Sequence, residues 1–222
     1  IDKEGFCSVI MEGRGLPAKA AFPDSFSYGN EAVETVSYDP EGAKKLLEES
    51  GWKDTDGDGY ADKDGQKLTI DWLTYPTRLE QPKLAEYAQA TLKEIGIDVV
   101  VNNTSDHMTY AADGNFDVYV SSTTTAPTGD PEYFFTSTVV GPKNYGKYEN
   151  KEVTALTEKL HQAFEPEERA KLATELQQKI LDDDGFFFVS HLNMGIVTKS
   201  NVKGMAAHPC DYYEITADLD VE

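Results

Sequence analysis

Apolar and polar positions follow two different periods along the chain, and residues 68–101 show both of them clearly. Residues 68–73 are rich in β-branched and aromatic side chains and predict a strand, and residues 97–101 predict another. Between them, a helix that begins at Pro82 and ends at Gly96 carries apolar residues at the helical spacing of about 3.6. Those residues are Leu84, Ala88, Leu92 and Ile95. A strand, a helix and a strand in this order form a βαβ unit, so we expect parallel strands joined by a right-handed crossover.

The rest of the chain continues this alternation. The same criteria predict a short opening helix closing at residues 8–11, a helix from Asp39-Pro40-Glu41 to Gly51, a short helical segment at 107–112, and helices at 152–164 and from Pro166 to just before Gly185. They also predict a strand at 116–120 and an apolar strand at 186–190, which residues 194–198 continue or pair beside. A further strand, at 212–216, has no obvious partner. Residues 17–37 have no period and predict an irregular, partly buried loop. The pattern as a whole predicts an α/β fold, with flanking helices and a mixed sheet built round the βαβ unit.

The loop after the third predicted strand carries a run of hydroxyl side chains and then an Asp-Pro helix start. Ligands in open α/β sheets bind outside the carboxyl ends of strands, so this position favours ligand binding. The candidate residues are Thr123, Thr124, Thr125, Pro127, Asp130 and Tyr133. A structural interpretation, in which the hydroxyls turn the chain and Asp130 is a plain N-cap, stays open. The loop after the first strand opens on the same side and adds Tyr75 and Arg78, an arginine that suits either a carboxylate or the solvent.

Residues 54–62 place acidic side chains at alternating positions, with glycines that permit a tight turn. Together with a backbone carbonyl, they would supply oxygen ligands for calcium at roughly 2.3–2.6 Å. The candidate ligands are Asp54, Asp56, Asp58, the carbonyl of Tyr60, and Asp62. The position of the bidentate glutamate in an EF-hand loop is Gly65 here, and a Gly/Asp-rich hairpin turn is the competing interpretation. Any calcium in this loop would be structural and remote from the ligand loop.

The four histidines do not form a close set. His191 follows the apolar strand at 186–190 and could present an imidazole to a cleft, where a transition metal would accept it. The competing interpretation is a hydrogen-bonded core histidine. His107 and His161 are predicted to be exposed on helices, and nothing supports a role for His208.

Composition narrows the class of protein. The formal net charge of −20 comes from 40 acidic and 20 basic residues. A surface this acidic repels phosphate backbones and anionic lipid, so we expect no nucleic-acid partner. The sequence lacks a phosphate-binding loop, a nucleophile elbow, a His-Glu-x-x-His motif and paired zinc cysteines, so we expect no enzyme. Cys7 and Cys210 lie near opposite ends, and whether they form a disulfide stays open.

Several segments, in this order, resemble the C-terminal lobe of family 5 extracellular solute-binding proteins. These segments are the opening helix at 1–13, residues 38–47, Gly51-Trp52 with the loop at 54–65, residues 92–97, Phe116-Asp117 with Asp130-Pro131, and Asn201-Val202-Lys203-Gly204. Each is weakly specific, but together they cover almost the whole chain. The family comprises the nickel-, dipeptide- and oligopeptide-binding components of ABC importers.

The resemblance implies a lobe of the type II periplasmic-binding-protein fold at residues 1–205, with a tail at 206–222 that returns to an N-terminal lobe outside this chain. It implies a monomer that lies in the periplasm or is lipid-anchored outside the cell and delivers its solute to a membrane permease. In relatives the loop matching residues 123–133 lines the cleft, often with an acid that pairs with a peptide amine. Only Asp130 could serve as that acid here, and the Ala-Pro-x-x-Asp-Pro run looks more like the nickel-binding branch. Some of that branch use a histidine near the position of His191.

Three hypotheses therefore stand. A receptor lobe for chelated nickel or another metal is favoured, with nickel as the transported solute and no cofactor. A peptide receptor, in which Asp130 and Arg78 hold the peptide termini, is the first alternative. A calcium-stabilised structural or adhesion domain is the alternative from another class.

Overall fold

The computed structural model describes residues 1–207 and 215–222. Sequence predictions for His208, Cys210 and most of the strand at 212–216 therefore lie outside the described residues. The chain divides into two compact units. The first unit comprises residues 1–12 and 36–123, and the second comprises residues 13–35 and 124–222.

Most helices begin and end close to the predicted positions, whereas the opening helix is α-helical only at Lys3–Gly5 and continues as a π-helix at Phe6–Ile10. The α-helices are α1 (Lys3–Gly5), α2 (Pro40–Glu49), α3 (Glu80–Lys93), α4 (His107–Asp113), α5 (Glu132–Phe134), α6 (Lys151–Gln162) and α7 (Pro166–Asp182). Local chemistry explains where they start. At α2 the Asp39 carboxylate accepts a hydrogen bond from the Gly42 amide at 2.9 Å, and Pro40 fills the first helical position, where no amide hydrogen is needed.

The strands are short, and most of them pair within small sheets. They are β1 (Gly15–Pro17), β2 (Asp62–Lys63), β3 (Gln66–Lys67), β4 (Thr69–Thr74), β5 (Asp98–Asn103), β6 (Val118–Tyr119), β7 (Ser190–Leu192), β8 (Val202–Lys203) and β9 (Asp220–Val221). The irregular loop predicted at residues 17–37 is confirmed apart from a single 3-10 turn, Asn30–Ala32. The hairpin predicted as the alternative to a calcium loop is also present, since β2 pairs antiparallel with β3.

The first unit is built on a parallel sheet with the strand order β5-β4-β6. The predicted βαβ unit is confirmed as β4-α3-β5, and α3 buries Leu84, Ala85 and Ala88. The chain steps from β4 to β5 on one side and then returns past β4 to β6 on the other side. Crossovers between parallel strands are right-handed in nearly all proteins, and for this strand order that rule puts α3 and α4 on opposite faces of the sheet. This α/β arrangement confirms the predicted fold class, but the predicted mixed sheet is wrong: the sheet round the βαβ unit is wholly parallel, and the antiparallel pairs form separate small sheets.

The second unit is built on the helix pair α6 and α7. Both helices bury one apolar stripe, as their 3.6-residue periodicity predicts. The stripes pack on a cluster of aromatic rings that includes Phe22, Phe134 and Phe135. The amide of Gln177, which is almost fully buried there, accepts from the Ala21 amide and donates to the Tyr28 carbonyl. Its polar atoms are therefore satisfied inside the core.

The prediction of an apolar strand at residues 186–190 is wrong. The strand in this region is β7, which begins only at Ser190 and pairs antiparallel with β1. Phe186 and Phe188 stack on each other, and both present their edges to Phe134. Their apolar side chains thus belong to an aromatic cluster and not to a buried strand, and no strand is assigned to residues 194–198. The described part of the tail pairs β9 with β8.

None of the helices in the described residues is long and apolar enough to span a bilayer.

Candidate functional site

The strand order of the first unit defines a topological switch point. β4 and β6 are neighbours whose connections belong to crossovers on opposite faces of the sheet. In open parallel sheets this divergence leaves a crevice outside the carboxyl ends of the two strands, where ligands bind. The loops that follow β4 and β6 are the two loops in which the sequence analysis placed candidate ligand-binding residues. We call the groups that meet at this edge of the sheet the switch-point cluster.

Three rings form one part of the switch-point cluster. Tyr75 follows β4, Tyr119 ends β6, and His107 begins α4 after β5. The rings of Tyr75 and His107 are stacked, with centroids 4.1 Å apart and an interplanar angle of 20°. Nδ1 of His107 lies 2.9 Å from the hydroxyl of Tyr119. Side chains from the ends of all three strands therefore converge.

Ser122 forms the other part of the cluster and ties the two loops together. Its amide donates to the Tyr75 hydroxyl at 3.1 Å, and its own hydroxyl donates to Glu80 Oε1 at 2.9 Å. The side-chain amide nitrogen of Gln81, Nε2, lies 2.7 Å from the hydroxyl oxygen of Ser122. Because a carboxylate only accepts, the Ser122 hydrogen is committed to Glu80, and Gln81 must be the donor.

This geometry leaves unpaired polar atoms beside the switch point. The Gln81 amide oxygen is buried and has no hydrogen-bond partner in the described residues, and the same holds for the Thr74 hydroxyl at the end of β4. Leaving a buried acceptor or donor unpaired is costly. Both atoms are enclosed by the protein, so neither is open to a molecule bound at the edge of the sheet.

Other predicted site residues in the first unit are more exposed. Arg78 and Thr123 are both exposed, and within the described residues Arg78 makes no ion pair. Tyr75, in contrast, is buried: its ring stacks on His107, and its hydroxyl accepts from the Ser122 amide. His107, which the sequence analysis expected to be exposed, is half-buried.

Asp130, in the second unit, is already paired. Arg169 donates to its two carboxylate oxygens at 2.7 and 2.8 Å and also reaches Glu132 at 2.9 Å. Burial acts to raise the pKa of Asp130, but the hydrogen bonds from Arg169 and from the Glu132 amide outweigh it, so this pKa lies below its usual value. Arg169 also donates to the carbonyls of Leu160 and Ala163 and so closes the end of α6. Asp130 is thus held as an internal ion pair.

The remaining loop residues in the second unit differ in accessibility. Pro127 is buried, Thr125 is half-buried, and Thr124 and Tyr133 are exposed. Lys143 donates to the Tyr133 hydroxyl at 3.1 Å, with its charge 5.4 Å from the centre of that ring. The surface near Tyr133 therefore carries a positive charge.

His191 lies in β7, opposite Leu16, and its imidazole points to Asn30. The Asn30 side-chain oxygen accepts from the amides of Lys19 and Ala20, so it must also be the acceptor for Nε2 of His191, at 3.0 Å. The second ring nitrogen, Nδ1, has no partner in the described part of the chain. Burial lowers the pKa of His191, with the charge of Asp24 offsetting part of the effect. The neutral imidazole therefore keeps its lone pair on Nδ1.

The acidic loop brings Asp54, Asp56 and Asp58 together, with one carboxylate oxygen of each within 4.8 Å of the others. Asp62 faces elsewhere, because its two oxygens accept from Thr55. The other three carboxylates accept from backbone amides of the loop, and Lys67 lies 2.8 Å from Asp58. The loop is therefore closed by its own hydrogen bonds.

An open parallel sheet with polar groups at its switch point is the arrangement at which α/β proteins bind ligands. The family model for bacterial extracellular solute-binding proteins, family 5 (middle), matches residues 1–146. The chain belongs to this family. This match confirms the resemblance to family 5 solute-binding proteins that the sequence predicted.

Individual relatives bind chemically different solutes. The chain is 28% identical to the oligopeptide-binding protein AppA of Bacillus subtilis over 223 residues, covering 97% of this chain and 41% of AppA. It is 27% identical to the nickel-binding protein NikA of Staphylococcus aureus over 225 residues, covering 100% of this chain and 44% of NikA. The chain thus spans less than half the length of these relatives.

Solved structures show the same likeness. NikA from Staphylococcus aureus in complex with Ni(L-His)2 superposes with a TM-score of 0.78 at 25% identity, covering 100% of this chain and 46% of NikA. AppA from Bacillus subtilis in complex with a nonapeptide gives a TM-score of 0.77 at 25% identity, covering 94% of this chain and 43% of AppA. Both relatives are solute-binding proteins.

Proposed function

We propose that this chain is part of the substrate-binding component of an ABC importer. Residues 1–205 form one lobe, and the tail at 206–222, whose β9 pairs with β8, leads towards an N-terminal lobe that lies outside this chain. Closure of the two lobes captures the solute, and the complex then delivers it to a membrane permease. The protein works as a monomer outside the cell membrane, in the periplasm or anchored by lipid, and catalyses no reaction.

The observation that carries the proposal is the switch-point cluster in a chain of this family. Its rings and hydroxyls lie at the edge of the sheet where parallel α/β folds bind ligands. Arg78 and Thr123, which are exposed, contact the solute there, and contact by the buried Tyr75 stays a prediction. The predicted contacts in the second unit, Thr124, Thr125, Pro127, Asp130 and Tyr133, stay a prediction.

A metal held by a small chelator is the favoured solute, with nickel as the metal. AppA and NikA differ in the solute that they bind, and the solved NikA structure holds nickel as a complex with L-histidine. In this chain the carboxylate that would hold a peptide amine, Asp130, is neutralised by Arg169. The Nδ1 lone pair of His191 is also of the type that nickel accepts, with the other nitrogen fixed by Asn30, as is common for metal-binding histidines.

A peptide is the second candidate solute. The similarity to AppA favours it, and the unpaired guanidinium of Arg78 suits a peptide carboxylate. To hold the amine, however, Asp130 would have to give up both hydrogen bonds from Arg169. Giving them up would leave Arg169 largely buried without its bidentate partner.

Native mass spectrometry of the full-length protein distinguishes the two solutes. The protein is purified from rich medium and then titrated with nickel(II) in the presence of L-histidine. We expect a mass increase that matches nickel with histidine. Co-purified peptide masses that nickel–histidine does not displace would favour the peptide receptor, and a protein that binds neither would contradict the proposed function.

A further inference from the structure

His107 occupies a distinctive position in the first unit. It is the single histidine in that unit's sequence, and it lies where the ends of β4 and β6 meet. It contacts Tyr75 from one strand end and Tyr119 from the other. The sequence analysis placed it on an exposed helix, because its two partners are distant along the chain.

The contacts of His107 fix the orientation of its ring. Stacking on the buried Tyr75 sets the plane of the imidazole, and Tyr75 is itself held by the Ser122 amide. The Tyr119 hydroxyl has a second neighbour, the sulfur of Met108 at 3.9 Å, to which it donates its hydrogen. Its oxygen lies 2.9 Å from Nδ1 of His107 and accepts from that nitrogen in the tautomer that carries the proton on Nδ1.

In that tautomer, the lone pair of the neutral imidazole lies on Nε2. Nε2 has no hydrogen-bond partner within residues 1–207 and 215–222, although the ring is half-buried. A histidine whose Nδ1–H is held by an oxygen, with Nε2 left open, has the form in which imidazoles bind borderline transition metals. Nickel, copper and zinc accept such a nitrogen, whereas magnesium and calcium prefer oxygen.

We propose that Nε2 of His107 is a direct ligand of the chelated divalent transition metal that the protein carries. The inference rests on the proposed function and deepens it, because it locates the metal at the switch point of the first unit. Tyr119 is a positioning residue, which holds the imidazole through Nδ1 without touching the metal. The small chelator supplies the remaining ligands.

The test uses calorimetry and the visible absorption spectrum of nickel in the full-length protein, with nickel(II) and L-histidine as the probe. His107→Phe keeps a ring that can stack on Tyr75 but removes the nitrogen ligand. We expect it to weaken nickel–histidine binding by about tenfold or more and to shift the nickel absorption bands. Tyr119→Phe, which keeps the imidazole, should weaken binding less and leave the bands in place.

His161→Ala is the matched control, because His161 is an exposed histidine that is hydrogen-bonded to Glu132 outside the switch-point cluster. It should bind as the unmodified protein does. His107→Gln serves as a second variant, because it removes the ligand while keeping a polar side chain, and thermal unfolding checks that each variant folds. If the unmodified protein binds nickel–histidine and both His107 variants bind it equally well, the inference is overturned and the proposed function stands. If the unmodified protein fails to bind nickel–histidine, the nickel function and this inference both fall.

Discussion

At the scale of single residues, charge pairing inside the chain decides which groups are available to a solute. Asp130 looked from the sequence like a helix cap that a ligand amine could reach. Its carboxylate does accept from the Glu132 amide at 2.9 Å, although the N-cap residue of α5 is Pro131. The pairing of Asp130 with Arg169, however, joins the loop before α5 to α7, 39 residues further on, and leaves no local sign in the sequence. Loss of Arg169 should therefore affect folding before it affects binding.

We expect Arg169→Ala to lower the free energy of unfolding by about 2–3 kcal/mol, because it strands two carboxylates and two helix-end carbonyls. The half-exposure of Asp130 keeps the estimate below that of a fully buried pair. Urea denaturation of the full chain measures the change. Lys179→Ala is the control, because its ion pair with Glu152 is largely exposed and should be worth less than about 1 kcal/mol. Equal losses in the two variants would show that the Arg169 network is an ordinary surface pair.

The same ion pair gives a pH dependence with a defined sign. The pKa values of Asp130 and Glu132 both lie below their usual values in the folded chain, because their hydrogen bonds outweigh burial. Their stabilising contribution is present above the unfolded pKa of about 4 and is lost as the pH falls through the folded values. The difference in stability between the chain and Arg169→Ala should therefore shrink below about pH 4.

At the scale of elements, the spacing of apolar residues predicted those helices and strands whose positions depend on local packing. The βαβ unit, α2, α6 and α7 all begin and end near the predicted residues, because caps and apolar stripes are local signals. The strand at 186–190 was misplaced because aromatic residues also serve three-dimensional clusters, and Phe186 and Phe188 pack on Phe134. The candidate loops were predicted from strand order, whereas the role of His107 needed the actual Tyr75–His107 stack.

Calcium binding by the acidic loop is a prediction that belongs to this scale. If the loop binds calcium with the affinity typical of extracellular modules, about 10 mM calcium should stabilise the full chain by roughly 1–3 kcal/mol over EDTA. Thermal unfolding measures this as a rise in Tm, and Asp54→Asn should remove it. If Tm is the same in calcium and in EDTA, the loop binds no calcium and serves only as the connection between α2 and the sheet.

At the scale of the whole molecule, the family and the fold follow from many weak sequence signals in the right order. Their sum is specific because each signal fixes the place of an element in the fold, from the Asp39-Pro40 helix start to β8. The solute does not follow from those signals, because it depends on which side chains remain unpaired after folding. The net charge of −20 agrees with a cationic metal as cargo but identifies none.

The central claim is that the solute binds at the carboxyl edge of the sheet β5-β4-β6. A crystal structure of the full-length protein with nickel(II) and L-histidine tests it most directly. We predict that the bound complex contacts the loops that follow β4 and β6, with the metal next to His107 and the chelator within reach of Tyr75 and Ser122. A complex bound with no contact to either loop would contradict the account.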